Sequence, residues 1–206
     1  MFPGLYAIVD PAVLSGAGDQ ASRIAAFARE LVKGGVTLIQ YRNKSGSGRE
    51  ILSDARELRQ ALGRQIRLIM NDRADLCLAA GFDGVHVGQD DLAPESARSV
   101  VGDRLWMGVS THSVEQVKRA DLTSANYIAI GPVFATVSKP NPDPVISLAG
   151  VRAARAATRK PLVAIGGITR LNAASVIEAG ADSVAVISDL VHDPAKSVAA
   201  FLRVLG

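Results

Sequence analysis

Short apolar runs alternate along the chain with longer segments whose apolar residues recur at helical spacing. The runs consist mainly of Val, Ile, Leu and Ala, which is typical of parallel strands that are buried on both faces. Gly, Pro, Asn or Asp residues mark most of the boundaries between runs and helical segments. The pattern predicts strands at Leu5–Val9, Val36–Tyr41, Arg67–Met70, Gly84–Val87, Leu105–Val109, Tyr127–Ile130, Leu162–Ile165 and Ser183–Ile187.

Each predicted strand is followed by one predicted helix. The helices are expected at Gln20–Lys33, Arg49–Leu62, Ala74–Ala80, Pro94–Val101, Val114–Ala120, Leu148–Thr158, Leu171–Ala179 and Ala195–Leu205. Eight strand–helix units in a row, evenly spaced and with short connections, favour a single α/β domain over residues 1–206, a (β/α)8 TIM barrel. An open doubly wound sheet is the alternative.

Composition agrees with one packed domain that acts on small molecules. The 206 residues are 48% hydrophobic but only 4% aromatic, so Ala, Val, Ile and Leu build the core. The net charge is +3, and the Lys and Arg residues are scattered, which argues against a nucleic-acid surface and fits small anionic substrates. The sequence leaves a homo-oligomer open.

The sequence also predicts a cytoplasmic protein. The single Cys77 lies in an apolar helical segment and is expected to be an inert, packed thiol in a reducing compartment. No signal peptide and no apolar stretch long enough to cross a membrane are visible.

Two acidic residues each follow a predicted strand, Asp72 after the third and Asp91 after the fourth. Strands joined by a helical crossover lie parallel, so both residues emerge at the same edge of the sheet. We expect the two carboxylates to be neighbours, with a hard cation between them that in a phosphate enzyme is usually Mg²⁺. The alternative is that each aspartate caps the helix that follows it.

The second predicted strand ends in Q-Y-R-N-K, in which Gln40, Arg42 and Lys44 alternate along an extended backbone. Alternate side chains project to one side, so one amide and two cations face the same space. Arg and Lys at this spacing can bind a diphosphate. The alternative is a solvated strand end without a ligand.

Two further loops carry hydroxyl groups beside basic residues. Ser110 and His112 follow the fifth strand. Ser110 is a candidate ligand contact, with the alternative that the Ser and Thr residues here only start the next helix. His112 is more readily explained as a structural residue. The long loop after the sixth strand contains Thr136, Ser138 and Lys139 between several prolines, and hydroxyls near a Lys suit phosphate oxygens. An ordered but inert loop is the alternative.

The last two strand ends predict a phosphate-binding corner. Gly166 and Gly167 follow the seventh strand and allow a ligand to approach the backbone, and Ser188 follows the eighth. Many barrels bind phosphate at this corner, so it indicates a type of ligand and not a reaction.

Taken together, these motifs resemble the thiamine phosphate synthase family along nearly the whole chain. The matching segments are Y-A-I-V-D, Q-Y-R-N-K, N-D-R-A-D, H-V-G-Q-D-D, G-V-S-T-H, G-P-V-F-A-T-V-S-K, A-I-G-G-I and A-V-I-S. Each is weak alone, but their order is specific. The resemblance implies a transferase that joins 4-amino-2-methyl-5-hydroxymethylpyrimidine diphosphate to 4-methyl-5-(2-phosphooxyethyl)thiazole, giving thiamine phosphate and diphosphate by a dissociative substitution.

The resemblance also implies a role for individual positions. It makes Asp72 and Asp91 the Mg²⁺ ligands. It assigns the pyrimidine diphosphate to Gln40, Arg42, Lys44, Asn71, Ser110 and Lys139, and within this set the catalytic contacts to Arg42, Lys44, Ser110 and Lys139. It assigns the thiazole phosphate to Thr136, Ser138, Gly167, Ile187 and Ser188.

The chain departs from the family pattern in the sixth loop. Ala135 stands where the family usually has Pro, and Ser138 where it commonly has Thr, so the hydroxyl pattern is kept but the rigidity of the loop is in question. Two other functions remain as alternatives. One is a related thiazole tautomerase, which carries its acid/base group at the position of His112 and needs no metal, and the other is a non-catalytic barrel that senses a phosphorylated ligand.

Overall fold

The strands close into a barrel in the order of the sequence. A computed structural model describes residues 2–16, 18–136 and 143–206. The first strand pairs in parallel with the second, as Ala7 with Ile39, and also with the eighth, as Leu5 with Val184. The strands are β1 Leu5–Val9, β2 Leu38–Tyr41, β3 Arg67–Asn71, β4 Gly84–Val87, β5 Trp106–Thr111, β6 Tyr127–Ile130, β7 Leu162–Ile165 and β8 Ser183–Val186.

One helix follows each strand and packs on the outside. The helices are α1 Gln20–Lys33, α2 Gly48–Leu62, α3 Ala74–Ala79, α4 Pro94–Val101, α5 Val114–Asp121, α6 Ser147–Ala157, α7 Ala173–Glu178 and α8 Pro194–Leu205. Short 3-10 turns follow β1 at Pro11–Val13 and β8 at Ser188–Leu190. The predicted (β/α)8 barrel is therefore confirmed, and pairing of β1 with β8 rules out the open sheet.

Alternation along the strands creates two separate cores. Odd-numbered residues of β1 such as Leu5 and Val9 face the helices, whereas Tyr6 and Ile8 face the barrel axis. The outer core fills the layer between strands and helices, and the inner core fills the barrel. Polar residues at the inward positions of a strand, such as Gln40, therefore reach the barrel interior or its mouth.

Three element boundaries differ from the predicted ones by two residues, and the other differences are of one residue. Strand β2 begins at Leu38 and not at Val36. Strand β5 continues to Thr111 because Ser110 and Thr111 keep the parallel pairing with β6, although their polar character suggested a loop. Helix α7 begins at Ala173 and not at Leu171, because the preceding Thr169 amide donates to the Asn172 side chain in a turn and Leu171 is exposed.

Cys77 is fully buried in α3, as expected for a packed thiol. Burial raises the pKa of the thiol to about 12, so it is protonated at neutral pH. Across residues 2–16, 18–136 and 143–206, no helix has both the length and the apolar character that a membrane crossing requires.

Candidate active site

A cavity of about 520 Å³ opens at the carboxyl ends of the strands. This is the face of a (β/α)8 barrel at which side chains from different strand ends meet. All predicted site residues within the described part of the chain line this cavity: Gln40, Arg42, Lys44, Asn71, Asp72, Asp91, Ser110, Thr136, Gly167, Ile187 and Ser188. Ser138 and Lys139, which were also predicted for the site, lie outside the described residues.

Asp72 and Asp91 are in direct contact, and their carboxyl groups act on each other. Burial, followed by the hydrogen bond to Asp91, raises the pKa of Asp72 to about 6, although the Lys44 ammonium acts in the opposite direction. Burial also disfavours the Asp91 anion, but Asp72, the Gly88 amide and Lys44 together lower the pKa of Asp91 below its usual value. The pair therefore holds one shared proton more tightly than isolated carboxyls would.

The capping alternative for these aspartates is wrong. The residues that precede the first turns of α3 and α4 are Arg73 and Ala93, and neither helix start has a side-chain cap. The Asp91 carboxylate instead accepts from the Gly88 amide at 2.9 Å, within its own loop. Both carboxylates are thus free of helix capping and directed at a common point.

The backbone at Asp72 is held in an unusual conformation. Its φ is +60°, in the left-handed region that few residues other than Gly adopt, Asn and Asp more often than most. The Asp72 amide donates to the His86 carbonyl at 2.7 Å, which continues the pairing of β3 with β4. The turn directs the Asp72 carboxylate across the cavity to Lys44, with which it forms an ion pair.

A divalent cation fits the Asp72–Asp91 pair. Two neighbouring carboxylates repel each other once their shared proton is lost, and a hard cation between them removes that repulsion. Among the described residues, no group of three or more His, Cys, Asp or Glu side chains is placed to hold a metal ion. A cation here would take its remaining ligands from water and from substrate oxygens, as Mg²⁺ commonly does.

The loop after β2 is fixed by polar contacts that orient its two cations. Arg42 forms an ion pair with the buried Asp10, which itself accepts from the Ala12 amide at 2.9 Å. The Asn43 side chain accepts from the Gly46 amide at 2.8 Å and closes the turn that carries Lys44. Asp10 was not predicted from the sequence, although its place directly after β1 is the signal that could have found it.

Gln40 and Ser110 extend from the cavity into the barrel interior. The Gln40 amide donates to the Tyr6 hydroxyl at 2.9 Å, and Ser110 Oγ lies 2.8 Å from His86 Nε2. Burial lowers the pKa of His86 to about 4, so its imidazole is neutral. Neither Tyr6 nor His86 was predicted for the site, and the available signal was their inward position on apolar strands.

The predicted phosphate corner is formed by the loops after β7 and β8. Arg170 binds both carboxylate oxygens of Asp189, at 3.1 and 3.2 Å, and so ties the two loops together. Gly166 and Gly167 have φ values of +101° and +63°. A Cβ at Gly167 would lie 2.5 Å from the Ala135 carbonyl oxygen, so glycine is required by packing against the chain itself.

His112 also lines the cavity, at the end of β5. Its Nδ1 lies 2.6 Å from the Gly131 carbonyl oxygen, and its Nε2 lies 3.5 Å from the Asp143 carboxylate. The ring therefore connects the two described ends of the long loop after β6. These two contacts account for His112 as a structural residue.

Comparison with known proteins adds the family. Residues 5–190 match the family model described as thiamine monophosphate synthase. The thiamine-phosphate synthase of Koribacter versatilis (strain Ellin345) is 61% identical over 203 residues, with 98% of this chain and 96% of the relative covered. That of Chloroflexus aurantiacus (strain ATCC 29366 / DSM 635 / J-10-fl) is 42% identical, with 98% and 91% covered.

A solved structure agrees with the sequence comparisons. The thiamine phosphate pyrophosphorylase from Pyrococcus furiosus superposes with a TM-score of 0.84 at 32% identity, covering 98% of this chain and 94% of that one. The resemblance of the sequence motifs, the closed barrel and these relatives lead to the same result. The chain belongs to the thiamine monophosphate synthase family.

Proposed function

We propose that the protein condenses 4-amino-2-methyl-5-hydroxymethylpyrimidine diphosphate with 4-methyl-5-(2-phosphooxyethyl)thiazole, giving thiamine phosphate and diphosphate. Family membership makes the chain a transferase of thiamine biosynthesis with thiamine phosphate synthase activity. The observation that carries the detailed proposal is one cavity lined by two groups of residues that suit anions. One is the acidic and basic cluster after β2, β3 and β4, and the other is the corner after β7 and β8.

The first anion site suits the pyrimidine diphosphate. Arg42 and Lys44 face the cavity beside the Asp72–Asp91 pair, so cations and a metal-binding carboxylate pair are available together. Arg42 is held by Asp10, which fixes the direction of its guanidinium before a ligand arrives. Asn71, at the end of β3, lines the same side. A cation held in this way, as Arg42 is, stabilises a departing diphosphate without reorganisation.

Mg²⁺ is the cofactor that we propose for this site, held by Asp72 and Asp91. When bound, it supplies positive charge that neutralises the diphosphate as it leaves. Lys44 already pairs with Asp72, which places an ammonium group beside the same carboxylate. The Lys44 side chain is about half exposed and can therefore turn toward a ligand.

The second anion site suits the thiazole phosphate. The corner that the Arg170–Asp189 contact fixes is lined by Gly167, Ile187 and Ser188. Thr136, in the loop after β6, lines the same cavity. Backbone amides and hydroxyls at this corner are suited to phosphate oxygens. Ser138 and Lys139 remain predictions of the resemblance.

The chemistry that this arrangement supports needs no protein nucleophile. The bond from the pyrimidine methylene carbon to the diphosphate oxygen breaks, and both electrons leave with the diphosphate. The electron-rich ring stabilises the resulting cation, and the thiazole nitrogen forms the new bond to carbon. Arg42 and Lys44 stabilise the leaving group, Gln40 and Ser110 hold the ring, and the corner holds the second substrate in line.

Diphosphate release is the experiment that tests this function. We expect the purified protein with Mg²⁺ to release diphosphate when both substrates are present, in equal amount to the thiamine phosphate formed. Binding of substrates without release would indicate a sensing barrel. Conversion of a thiazole phosphate tautomer without Mg²⁺, and without diphosphate release, would indicate a tautomerase.

A further inference from the structure

A chain of buried polar side chains crosses the barrel interior between Gln40 and Ser110. The Gln40 amide nitrogen lies 2.9 Å from the Tyr6 hydroxyl, which lies 2.9 Å from the hydroxyl of Tyr127. His86 continues the chain, since its Nδ1 lies 3.0 Å from the Tyr127 hydroxyl and its Nε2 lies 2.8 Å from Ser110 Oγ. We refer to Tyr6, Tyr127 and His86 as the relay.

The barrel interior is shaped to hold the relay. Tyr6 and Tyr127 are 1% and 0% exposed, and their rings meet edge to face with centroids 5.9 Å apart. Gly108 provides the necessary space, because a Cβ at this position would lie 2.1 Å from the Tyr127 ring and 2.4 Å from His86 Nδ1. The hydrogen bonds therefore form in a packed site that leaves the side chains little freedom.

The number of hydrogens in the relay fixes the direction in which each hydrogen bond is donated. A tyrosine hydroxyl and a neutral imidazole each have one hydrogen, so each donates to one neighbour and accepts from the other. With the Gln40 amide nitrogen donating to Tyr6, Tyr6 donates to Tyr127. Tyr127 then donates to His86 Nδ1, and Nε2–H of His86 donates to Ser110. Reversal at one member alone would leave two hydrogens or two lone pairs facing each other in a buried site.

We propose that the relay couples the hydrogen-bonding directions of Gln40 and Ser110, and that its three members are positioning residues. In the order set by the Gln40 amide, the Gln40 carbonyl oxygen remains to accept from a ligand and the Ser110 hydroxyl remains to donate. This matches the edge of an aminopyrimidine, where an amino group donates beside a ring nitrogen that accepts. The inference rests on the pyrimidine substrate of the proposed function.

Tyr127→Phe tests the coupling, because it removes the central hydroxyl and keeps the buried ring. The readout is calorimetric binding, with Mg²⁺ present, of the aminopyrimidine diphosphate and of the analogue that lacks the amino group. We expect the wild type to prefer the amino compound by about 100-fold, as when loss of a partner leaves a buried polar group unpaired. The preference should fall to about tenfold or less in the variant, although the variant keeps Gln40 and Ser110.

Thr111→Val is the matched control. Thr111 is buried on the same strand as Ser110, and its hydroxyl donates to the Ala129 carbonyl at 2.7 Å, outside the relay. The control also removes one buried hydroxyl and keeps the shape of the side chain. We expect it to lower stability while leaving the preference for the amino compound at the wild-type value.

Tyr6→Phe interrupts the relay one bond earlier, and it decides the question if Tyr127→Phe does not fold. A wild-type preference for the amino compound in either folded variant would overturn the coupling. A loss of preference in Thr111→Val equal to that in the relay variants would also overturn it, because general destabilisation would then explain the effect. Diphosphate release by the wild type is measured separately, so failure of the proposed function is seen independently.

Discussion

Asp72 illustrates at the scale of one residue how backbone and charge combine in the site. Its position after β3 was predictable from the apolar run before it, and so was its approach to Asp91. Its left-handed φ of +60° was not predictable, because this conformation depends on the contact of its amide with the His86 carbonyl on β4. The ion pair with Lys44 likewise depends on a loop whose geometry no local pattern determines.

Replacing Asp72 by Asn should lower turnover by about 100-fold or more, because it removes one of the two carboxylates that we propose as ligands of the cation. The measurement is the rate of diphosphate release at saturating Mg²⁺ with both substrates. Asp75→Asn is the matched control. Asp75 lies about one helical turn after Asp72, is largely exposed and forms an ion pair with Arg73. A rate near that of the wild type in Asp72→Asn would remove Asp72 from the site.

The same variant should be more stable than the wild type at pH 8 when divalent cations are absent. An unfolded Asp loses its proton near pH 3.8, whereas Asp72 in the folded chain holds its proton to about pH 6, so the folded state binds more protons between these values. The Asp72 charge therefore lowers stability increasingly from about pH 4 to pH 6, and the full cost persists above. The Asn side chain has no such cost.

Thermal unfolding at two pH values measures this difference. We expect the Tm of Asp72→Asn to exceed that of the wild type by about 2–4 °C at pH 8, the shift that ~1 kcal/mol gives in a domain of this size. The gap should close toward pH 4, and Mg²⁺ at pH 8 should raise only the wild-type Tm. A variant less stable than the wild type at pH 8 would show that the Asp72 charge does not destabilise the folded chain.

At the scale of elements, the loops after β6 and β7 support each other. The Phe134 amide donates to the Gly166 carbonyl at 3.0 Å, and Val133 donates to Ile165 at 2.9 Å. The sequence predicted both loops and the glycine pair, but it assigned the glycines to ligand approach. The structure gives a second reason for the glycines, because the two loops, which are distant in sequence, pack against each other. A local sequence pattern does not show such a contact.

Gly167→Ala should raise the KM for the thiazole phosphate by about tenfold or more and lower the Tm. The added Cβ would meet the Ala135 carbonyl oxygen at 2.5 Å and Phe134 Cβ at 2.8 Å, so the loops must separate. Gly81→Ala is the matched control, because its φ of +65° is nearly the same and nothing lies within 4 Å of the added atom. Gly81→Ala therefore has the backbone strain of a left-handed alanine, about 1–2 kcal/mol, but no steric clash of the added Cβ.

Steady-state kinetics with each substrate varied in turn, together with thermal unfolding, separates the two glycine variants. Gly81→Ala should lose stability and keep its KM values, whereas Gly167→Ala should lose stability and affinity for the thiazole phosphate. An unchanged KM in Gly167→Ala would mean that this corner does not hold the phosphate.

Elements were predicted more reliably than their ends. All eight strands and helices lie where the apolar periodicity predicted them, because burial on both faces of a parallel sheet leaves a strong signal. The predicted end of β5 was wrong, because Ser110 and Thr111 are polar and yet pair with β6. In a barrel, inward polar residues extend a strand into the site, and a local pattern interprets them as a loop.

At the scale of the whole molecule, closure of the barrel places the two proposed anion sites at one mouth. The candidate site residues come from seven strand ends, from Gln40 to Ser188, and only the pairing of β1 with β8 brings the first and last units together. The sequence predicted which loops carry functional residues. It did not predict the interior chain through Tyr6, Tyr127 and His86, because contacts across a barrel have no signature along one strand.

A single closed barrel should unfold as one unit. We expect one calorimetric transition whose measured enthalpy equals the van't Hoff enthalpy, because the strands form one continuous sheet over a shared interior. Two resolved transitions would contradict the single domain proposed for residues 1–206.

The central claim is that two aspartates hold a cation over which the diphosphate is bound. Its most direct test is a calorimetric titration of the protein with the pyrimidine diphosphate, with and without Mg²⁺, in the wild type and in Asp72→Asn and Asp91→Asn. We expect Mg²⁺ to tighten binding by about 100-fold or more in the wild type and by less than about tenfold in either variant. Equal affinity with and without Mg²⁺ in the wild type, or an undiminished Mg²⁺ effect in both variants, would contradict it.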